Sequence, residues 1–517
     1  MKYLYSLALL FCLIFLSSCR NDFESSPSTG NLSFSQDTVY LDTVFSNIGS
    51  STRNIKVYNR SDDDIIIPTI NLERGESSEY RLNVDGLPGK SFENIQILAN
   101  DSIFVFVETT INIDDFPNPN FEFLYEDRIL FDTGGNQQDV DLVTLVQDAV
   151  FLYPQRFDDG TTETLNLGQD PNDPENDILI EGFVLEDSEL NFTNEKPYVI
   201  YGYAAVANNK TINFQPGARV HFHENSGMLV SAGATVKSIG LASNDPELLE
   251  NQIIFESDRL EPGFSDIPGQ WGALWLTGGS TNHEFEYTTI KNGTVGILME
   301  GLDGTQSLSL KNVQIYNNSN IGLLARNSFV RGENVVINNS GQTSMSCSFG
   351  GDYEFNHSTF VNYWSNGFRS FPTLQLDNFI QTGETTFEVN PMNATFNNCI
   401  IYGNERRELA IFENTDESFV FNFKNCLLKF EDPSGEFEED ENYQFEGPLY
   451  SGTVRNIDPM FFNTSLNDFN IESDTSGADG IGDVFTSNQV PFDLNNFPRS
   501  TSSPDAGAYE SVIFPED

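Results

Sequence analysis

The sequence predicts an all-β protein in two parts, a β-sandwich followed by a solenoid of stacked coils. Three observations carry this expectation. Short alternating apolar runs, separated by turn residues, fill residues 31–150. From about residue 198, short strands recur at a nearly constant spacing with Gly and Asn between them, and no helical period intervenes. The composition supplies the cores: of 517 residues, 38% are hydrophobic, and 44 are Phe and 18 Tyr. That aromatic content excludes a disordered acidic chain.

Charge and cysteine usage narrow the function classes. Lys and Arg number 26 against 77 Asp and Glu, a net charge of −51. Such a chain repels phosphates, which excludes nucleic acid as a partner. Five Cys and four His fit neither a disulfide scaffold nor a zinc centre.

The first element is an export segment, residues 1–19. Lys2 supplies a positive start, and the apolar run from Leu7 to Leu16 is too short to span a bilayer. It ends in Leu16-Ser17-Ser18-Cys19, which resembles a bacterial lipobox. The resemblance implies a mature chain that begins at a lipidated Cys19. Buried acyl chains contribute about 0.8 kcal/mol per CH₂, so a multiply acylated Cys19 anchors the chain to a membrane. Residues 20–30, polar and then rich in Ser, Pro and Gly, read as a tether. Acidic residues just after the lipid cysteine resemble the surface-export signals of lipoproteins in the Bacteroidota. The implied location is the outer membrane, facing outward.

Residues 31–150 come next. Val39-Tyr40-Leu41, Asn54-Ile55-Lys56-Val57-Tyr58, Tyr80-Arg81-Leu82-Asn83-Val84 and Ile103-Phe104-Val105-Phe106-Val107 alternate as half-buried strands. Their order resembles the Ig-like modules of bacterial surface proteins, which implies a spacer or docking unit. Residues 151–197 read as a linker and an N-terminal cap for the solenoid. The linker contains Asp170-Pro171-Asn172-Asp173-Pro174, whose carboxylates offer Ca²⁺ a loop.

The repeats span 198–511. Six segments align: Tyr287 to Asn292, Asn312 to Asn317, Asn334 to Asn339, His357 to Asn362, Asn398 to Gly403, and Asn425 to Leu428. Their fourth position advances through 290, 315, 337, 360, 401 and 428, steps of 22–27 residues with one of 41 that signals an insertion. That position is Ile, Ile, Ile, Phe, Ile, Leu, and the second is Thr, Val, Val, Ser, Cys, Cys. Both have the same strand parity and point inward. The sixth position, Asn292, Asn317, Asn339, Asn362 and Gly403, holds residues that tolerate positive φ, so a left-handed corner is expected there. The first position, mostly Asn, is expected to hydrogen-bond from coil to coil as a ladder at about 4.8 Å. A second strand column is expected at residues 297, 323, 345 and 368.

Two strand columns at one period resemble the right-handed parallel β-helix, the pectate-lyase-like architecture. Residues 211–220, with Pro216-Gly217, resemble coils of bacterial surface β-helices, as does Pro268-Gly269-Gln270-Trp271-Gly272. Ser503-Pro504-Asp505-Ala506-Gly507-Ala508-Tyr509-Glu510 resembles a closing segment of such lipoproteins, and residues 493–499 are expected to cap the last coil.

Helices of this kind bind or cut polysaccharides, which makes a polysaccharide or a surface protein the expected partner. The galacturonase-like hydrolases carry Asn-Thr-Asp, Asp-Asp, Gly-His-Gly and Arg-Ile-Lys. This chain has Asn414-Thr415-Asp416 but neither Gly-His-Gly nor Arg-Ile-Lys, so the match is discounted. The weak catalytic candidates are Arg369, Arg326 and His357; paired surface arginines and a ladder histidine are the preferred readings. Trp271, Trp275 and Trp364, beside Tyr363, are candidates for a sugar-stacking platform. No cofactor is called for; Ca²⁺ is the one ion that the acidic loops (170–174, Glu436 to Glu441, Asp479 and Asp483) could take, and no metal ligand set is assigned. Cys399 and Cys426 share an inward column, near disulfide range, with stacked thiols preferred; Cys347 reads as a buried thiol. The expected function is non-catalytic glycan binding or adhesion by a lipid-anchored envelope protein. The alternatives are a polysaccharide lyase or hydrolase working on a strand face, and a purely structural role.

Overall fold

The computed structural model describes residues 25–116, 122–170, 173–245 and 248–515. The export segment, Cys19 and Pro171-Asn172 lie outside the described residues. The chain divides into two compact units, the first ending at Asp148 and the second beginning at Ala149.

The first unit is a two-sheet sandwich. One sheet runs Ser26–Pro27, Ile65–Leu72, Glu122–Phe131, Gln138–Gln147, Thr38–Phe45, with Ser91–Ile97 also on Ile65–Leu72. The other runs Ser33–Phe34, Arg53–Tyr58, Ser102–Thr109, Tyr80–Val84, Leu87–Gly89. The alternation read from the sequence sets the faces: Ile55, Val57, Ile103, Val105 and Val107 turn inward and are buried. Tyr80 is fully buried, and its hydroxyl is satisfied by Tyr125 O at 3.0 Å and Thr144 Oγ1 at 2.9 Å.

The second unit is a parallel β-helix. Each coil carries three strands, and each strand pairs in parallel with its counterpart one coil away. The expected inward column is observed in full: Ile290, Ile315, Ile337, Phe360, Ile401 and Leu428 pair successively and are all buried. Phe360 pairs directly with Ile401, so the long step is an insertion and contains the hairpin Phe379–Gln381/Phe387–Val389. Rings stack down another column, Phe355 to Phe396 at 5.7 Å, Phe396 to Phe423 at 4.9 Å, and Phe423 to Tyr450 at 5.4 Å. Cys347, Cys399 and Cys426 are buried free thiols, and the backbone N–H of Cys399 donates to Cys426 Sγ at 3.4 Å.

Four expectations are corrected. The left-handed corner sits at the first aligned position: Tyr287, Asn312, Asn334, His357, Asn398 and Asn425 all have φ of 44–54°. At the sixth position only Asn292, Asn317 and Asn339 share it. The second strand column continues through Leu374, which pairs with Met345, and not through Phe368, which is exposed in an intervening loop. Residues 151–197 are no linker. Val150–Leu152 pairs with Tyr198–Ile200, and Asp173–Val184 with Tyr203–Val206, so the first coil begins at Val150. The hairpin Thr164–Asp170/Asp173–Val184 interrupts its period.

The fourth correction concerns the C-terminal segment. Aromatic residues at 430–450 cover the end of the core: Phe430, Tyr443 and Tyr450 join it, with Phe437 and Phe445 packed against them. Residues 456–511 instead run back along one side of the coils as a strap. Asn425 Nδ2 donates to Ile481 O, Asn398 Nδ2 to Asp483 O, and Asn334 Nδ2 to Phe492 O. The strap buries a second apolar layer, in which Ala478, Ala506, Ala508 and Tyr509 meet Val336, Val361, Ile400 and Leu427. Arg499 fastens it: its buried guanidinium donates to Asn334 Oδ1 at 2.7 Å, Gly507 O at 3.2 Å and Glu510 Oε1 at 3.1 Å.

Replacing Arg499 with Ala leaves Glu510 without its cation and Asn334 without its donor, so we expect a loss of about 3–5 kcal/mol. Urea unfolding of the variant against its parent checks this, and Arg499→Lys is expected to recover only part of the loss.

Candidate binding groove

The strap covers only part of the face it lies on. That face consists of outward positions on successive paired strands: Ile254 and Glu256, Thr289 and Lys291, Gln314 and Tyr316, then Val336, Thr359, Ile400 and Leu427. The later positions are mostly apolar and lie under the strap. The earlier ones are mostly polar, and there the face opens as a groove of about 870 Å³. Its floor is Ile254, Thr289, Lys291, Gln314 and Tyr316; the chain around 242–252 forms one wall, and strap residues 466–470 and 494–497 the other. The volume lies within the range of small-ligand sites.

The floor is internally paired. Lys291 Nζ lies 2.7 Å from Glu256 Oε2, and His221 Nδ1 lies 3.8 Å from Glu256 Oε1. Arg219 donates to the carbonyls of Gln252 and Leu249 at 2.5 and 2.8 Å. Burial alone pushes the Glu256 carboxyl up, but Lys291, His221 and Arg219 together outweigh it and hold it below its ordinary range. Tyr316 donates to Gln314 Oε1, and burial beside Tyr509 and Asp468 keeps its phenol protonated. Asn317 Nδ2 donates to Asp266 at 3.2 Å, and Asn495 Nδ2 to Asn470 Oδ1 at 2.9 Å. Thr289 is 5% exposed, and its hydroxyl oxygen is itself buried, with no protein partner. On the strap wall, Phe497 exposes much of its ring. Planar amides, hydroxyls and a free ring face suit a ligand that offers hydroxyls and CH surfaces together.

The residues singled out from sequence lie elsewhere and apart. Arg369 is buried and forms a two-pronged pair with Glu408, at 2.9 and 2.8 Å. Glu408 also accepts from Thr373 N, Thr373 Oγ1 and Glu405 N. The pair pins the loop before Leu374 and offers no free cation. Arg326 is on a different strand column and reaches Glu300 at 3.4 Å. His357 is buried in the corner ladder; its Nε2 lies 2.9 Å from Asn398 Nδ2 and 2.8 Å from Ser487 Oγ. Burial, and then the Arg499 charge, push its pKa well below the ordinary value, so the ring is neutral. Trp271 is a core residue stacked 4.4 Å from Phe222. Trp275, four residues along the same strand, donates to Glu300 Oε2 at 2.8 Å. Trp364 follows the strand Thr359–Asn362 in a loop. The three do not form one platform, because Trp271 takes an inward position.

Several carboxylates of the other acidic loops have protein partners. Asn414 and Asp416 form an Asx turn. Asp483 caps the helix Val484–Gln489 and pairs with Lys424 at 2.9 Å, Asp479 accepts from Asp474 N, and Glu436 pairs with Arg407. Among the described residues no three His, Cys, Asp or Glu side chains gather as a metal site. Sequence reasoning missed Thr289, Lys291, Gln314 and Phe497. The available signal was the outward parity of the repeat, polar before Tyr316 and largely apolar after it.

No family model and no curated protein sequence matches the chain. Among solved structures it is similar to the catalytic unit of a thermostable GH87 alpha-1,3-glucanase from Streptomyces thermodiastaticus, at 11% identity over 72% of this chain and 74% of that one, with a TM-score of 0.28. A family 123 glycoside hydrolase from Clostridium perfringens gives 12% identity over 23% of this chain and a TM-score of 0.15, and the match spans 26% of that protein. The E. coli chaperone DraB gives 13% identity over 24% of this chain and 58% of its own, at 0.16. At these scores the likenesses carry no functional argument.

One expectation follows for His357. Below about pH 6.5 the unfolded chain protonates this histidine and the folded chain does not, so stability falls as pH drops through that value. His357→Asn keeps a residue suited to positive φ and removes the titration. Its melting temperature is expected to fall less than the parent's between about pH 7 and about pH 5, measured by thermal unfolding across that range.

Proposed function

We propose that the chain is a lipid-anchored protein of the outer cell surface that binds a neutral glycan in the groove without catalysis. The observation that carries this reading is the groove lining, where the Gln314, Asn317, Asn470 and Asn495 amides stand with the exposed Phe497 ring. The net charge of −51 disfavours anionic polymers. The lipobox at Cys19 supports the anchor. Among the described residues no helix is long and apolar enough to cross a membrane. A second reading, a glycoside hydrolase, is favoured by one observation, that Asp266 and Asp468 line the same groove.

The test uses the chain from Arg20 onward and a panel of neutral glycans and polyuronates, with Ca²⁺ present. Retarded migration in gels containing a neutral glycan, without new reducing ends or unsaturated products, is the expected result. Phe497→Ala and Gln314→Ala are each expected to weaken binding about tenfold, as for residues at the centre of a contact. Product formation that Asp266→Asn or Asp468→Asn abolishes would overturn the non-catalytic reading.

A further inference from the structure

The groove is a basin closed on three sides, which limits what it holds. Its floor covers three successive strands, with Ile254 paired to Thr289 and Thr289 to Gln314. Two coil steps make about 10 Å along the helix axis. On the side of the later coils the strap closes it. The outward positions after Gln314 and Tyr316 are Val336 and Asn338, both buried. Asn338 Nδ2 donates to Asn467 Oδ1 at 2.8 Å, and Asn467 itself lines the groove. The Tyr316 and Tyr509 side chains interact at the same boundary.

On the side of the earlier coils, the outward positions before Ile254 and Glu256 are Arg219 and His221. The Arg219 guanidinium donates to Leu248 O at 3.2 Å as well as to Leu249 and Gln252. Those bonds tie the 242–252 wall across the face next to Ile254. His221 is buried, its Nδ1 3.0 Å from Ser257 O. At the C-terminal ends of the floor strands, Asn292 Nδ2 donates to Ser265 O and Ile267 O at 2.9 and 3.0 Å. With the Asn317–Asp266 bond this fixes residues 265–267 as a third wall, from which Asp266 lines the groove.

A cleft open at both ends takes the middle of a polymer, and successive stretches of one chain are then equivalent ligands. Here both directions along the helix axis are closed, and so is one end of the floor strands. A chain enters the basin but does not pass through it. We infer that the basin binds the end of a neutral glycan chain, its last few residues, and so takes one chain per protein. The inference rests on the glycan reading above and adds which part of the chain is held. The two ends of a glycan differ chemically, so each chain offers one ligand whatever its length. A free oligosaccharide and the end of a polymer share that chemistry.

The experiment uses the chain from Arg20 onward in native and Phe497→Ala form. The probes are linear malto-, laminari-, cello- and manno-hexasaccharides, and soluble fractionated chains of the same repeats several times longer. Calorimetric titration reads the affinity and the number of proteins bound per glycan chain. In at least one series, one protein is expected per chain at both lengths, with the same Kd per mole of chain. Phe497→Ala is expected to weaken the hexasaccharide and the long chain by the same factor, about tenfold. Several proteins on each long chain, with an affinity per mole of chain that rises with length, overturn the inference. If Phe497→Ala weakens that binding too, the glycan reading of the groove survives and only end recognition falls. Binding that Phe497→Ala leaves unchanged, or no binding in any series, removes both.

Discussion

The helix depends on a left-handed corner that recurs at one place in each of six successive coils. Tyr287, Asn312, Asn334, His357, Asn398 and Asn425 hold φ between 44 and 54°. For most side chains that conformation is costly, and Asn relieves it with a short polar side chain that bonds locally. Because the corner recurs at the same place, the strands on either side remain in register, and Ile290 to Leu428 stack as one buried column. The same corner aims its side chains outward into the strap. Asn334, His357, Asn398 and Asn425 each bond to it, so the residues chosen for backbone geometry also dock the C-terminal segment.

The strap in turn determines where the groove begins. Each strand of the face offers outward positions that must be solvated or covered. Under the strap they are apolar and exclude water, as at Val336, Ile400 and Leu427. Beyond it they carry Glu256, Lys291 and Gln314, which remain hydrated or paired. Tyr316 and Tyr509 stand at the boundary, belonging to the covered layer and lining the groove. The groove is therefore what remains of the face where the covering segment diverges from it.

The inward half of this architecture was legible in the sequence and the outward half was not. Side-chain size and strand parity placed Ile290, Ile315 and their partners correctly, because an inward residue sees only its own column. The fourth member of the second strand column was misassigned to Phe368. The loop 363–373 stands there, held by the Arg369–Glu408 pair, whose partners lie 39 residues apart. The strap was read as an end cap because its composition is that of a polar loop, and its partners are outward residues of coils far earlier in the chain. The site candidates were chosen by residue type, which took Trp271, a core ring, for a platform. The αL assignment moved from one end of the aligned segment to the other because Asn occupies both ends, and only the first position is left-handed in all six coils.

A groove built this way separates stability from recognition. The inward columns and the strap layer can tolerate few changes, since a cavity in either disturbs the coils above and below. Apart from Tyr316, the floor residues belong to none of the buried apolar clusters. Thr289, Gln314 and Phe497 can therefore change with the ligand while Ile290, Ile315 and Arg499 keep the face in place. The Lys291–Glu256 pair is the exception, being tied to Arg219 and His221 through the neighbouring coil. Its loss would reach the fold as well as the ligand, whereas an effect confined to binding belongs to the wall and the Gln314 amide.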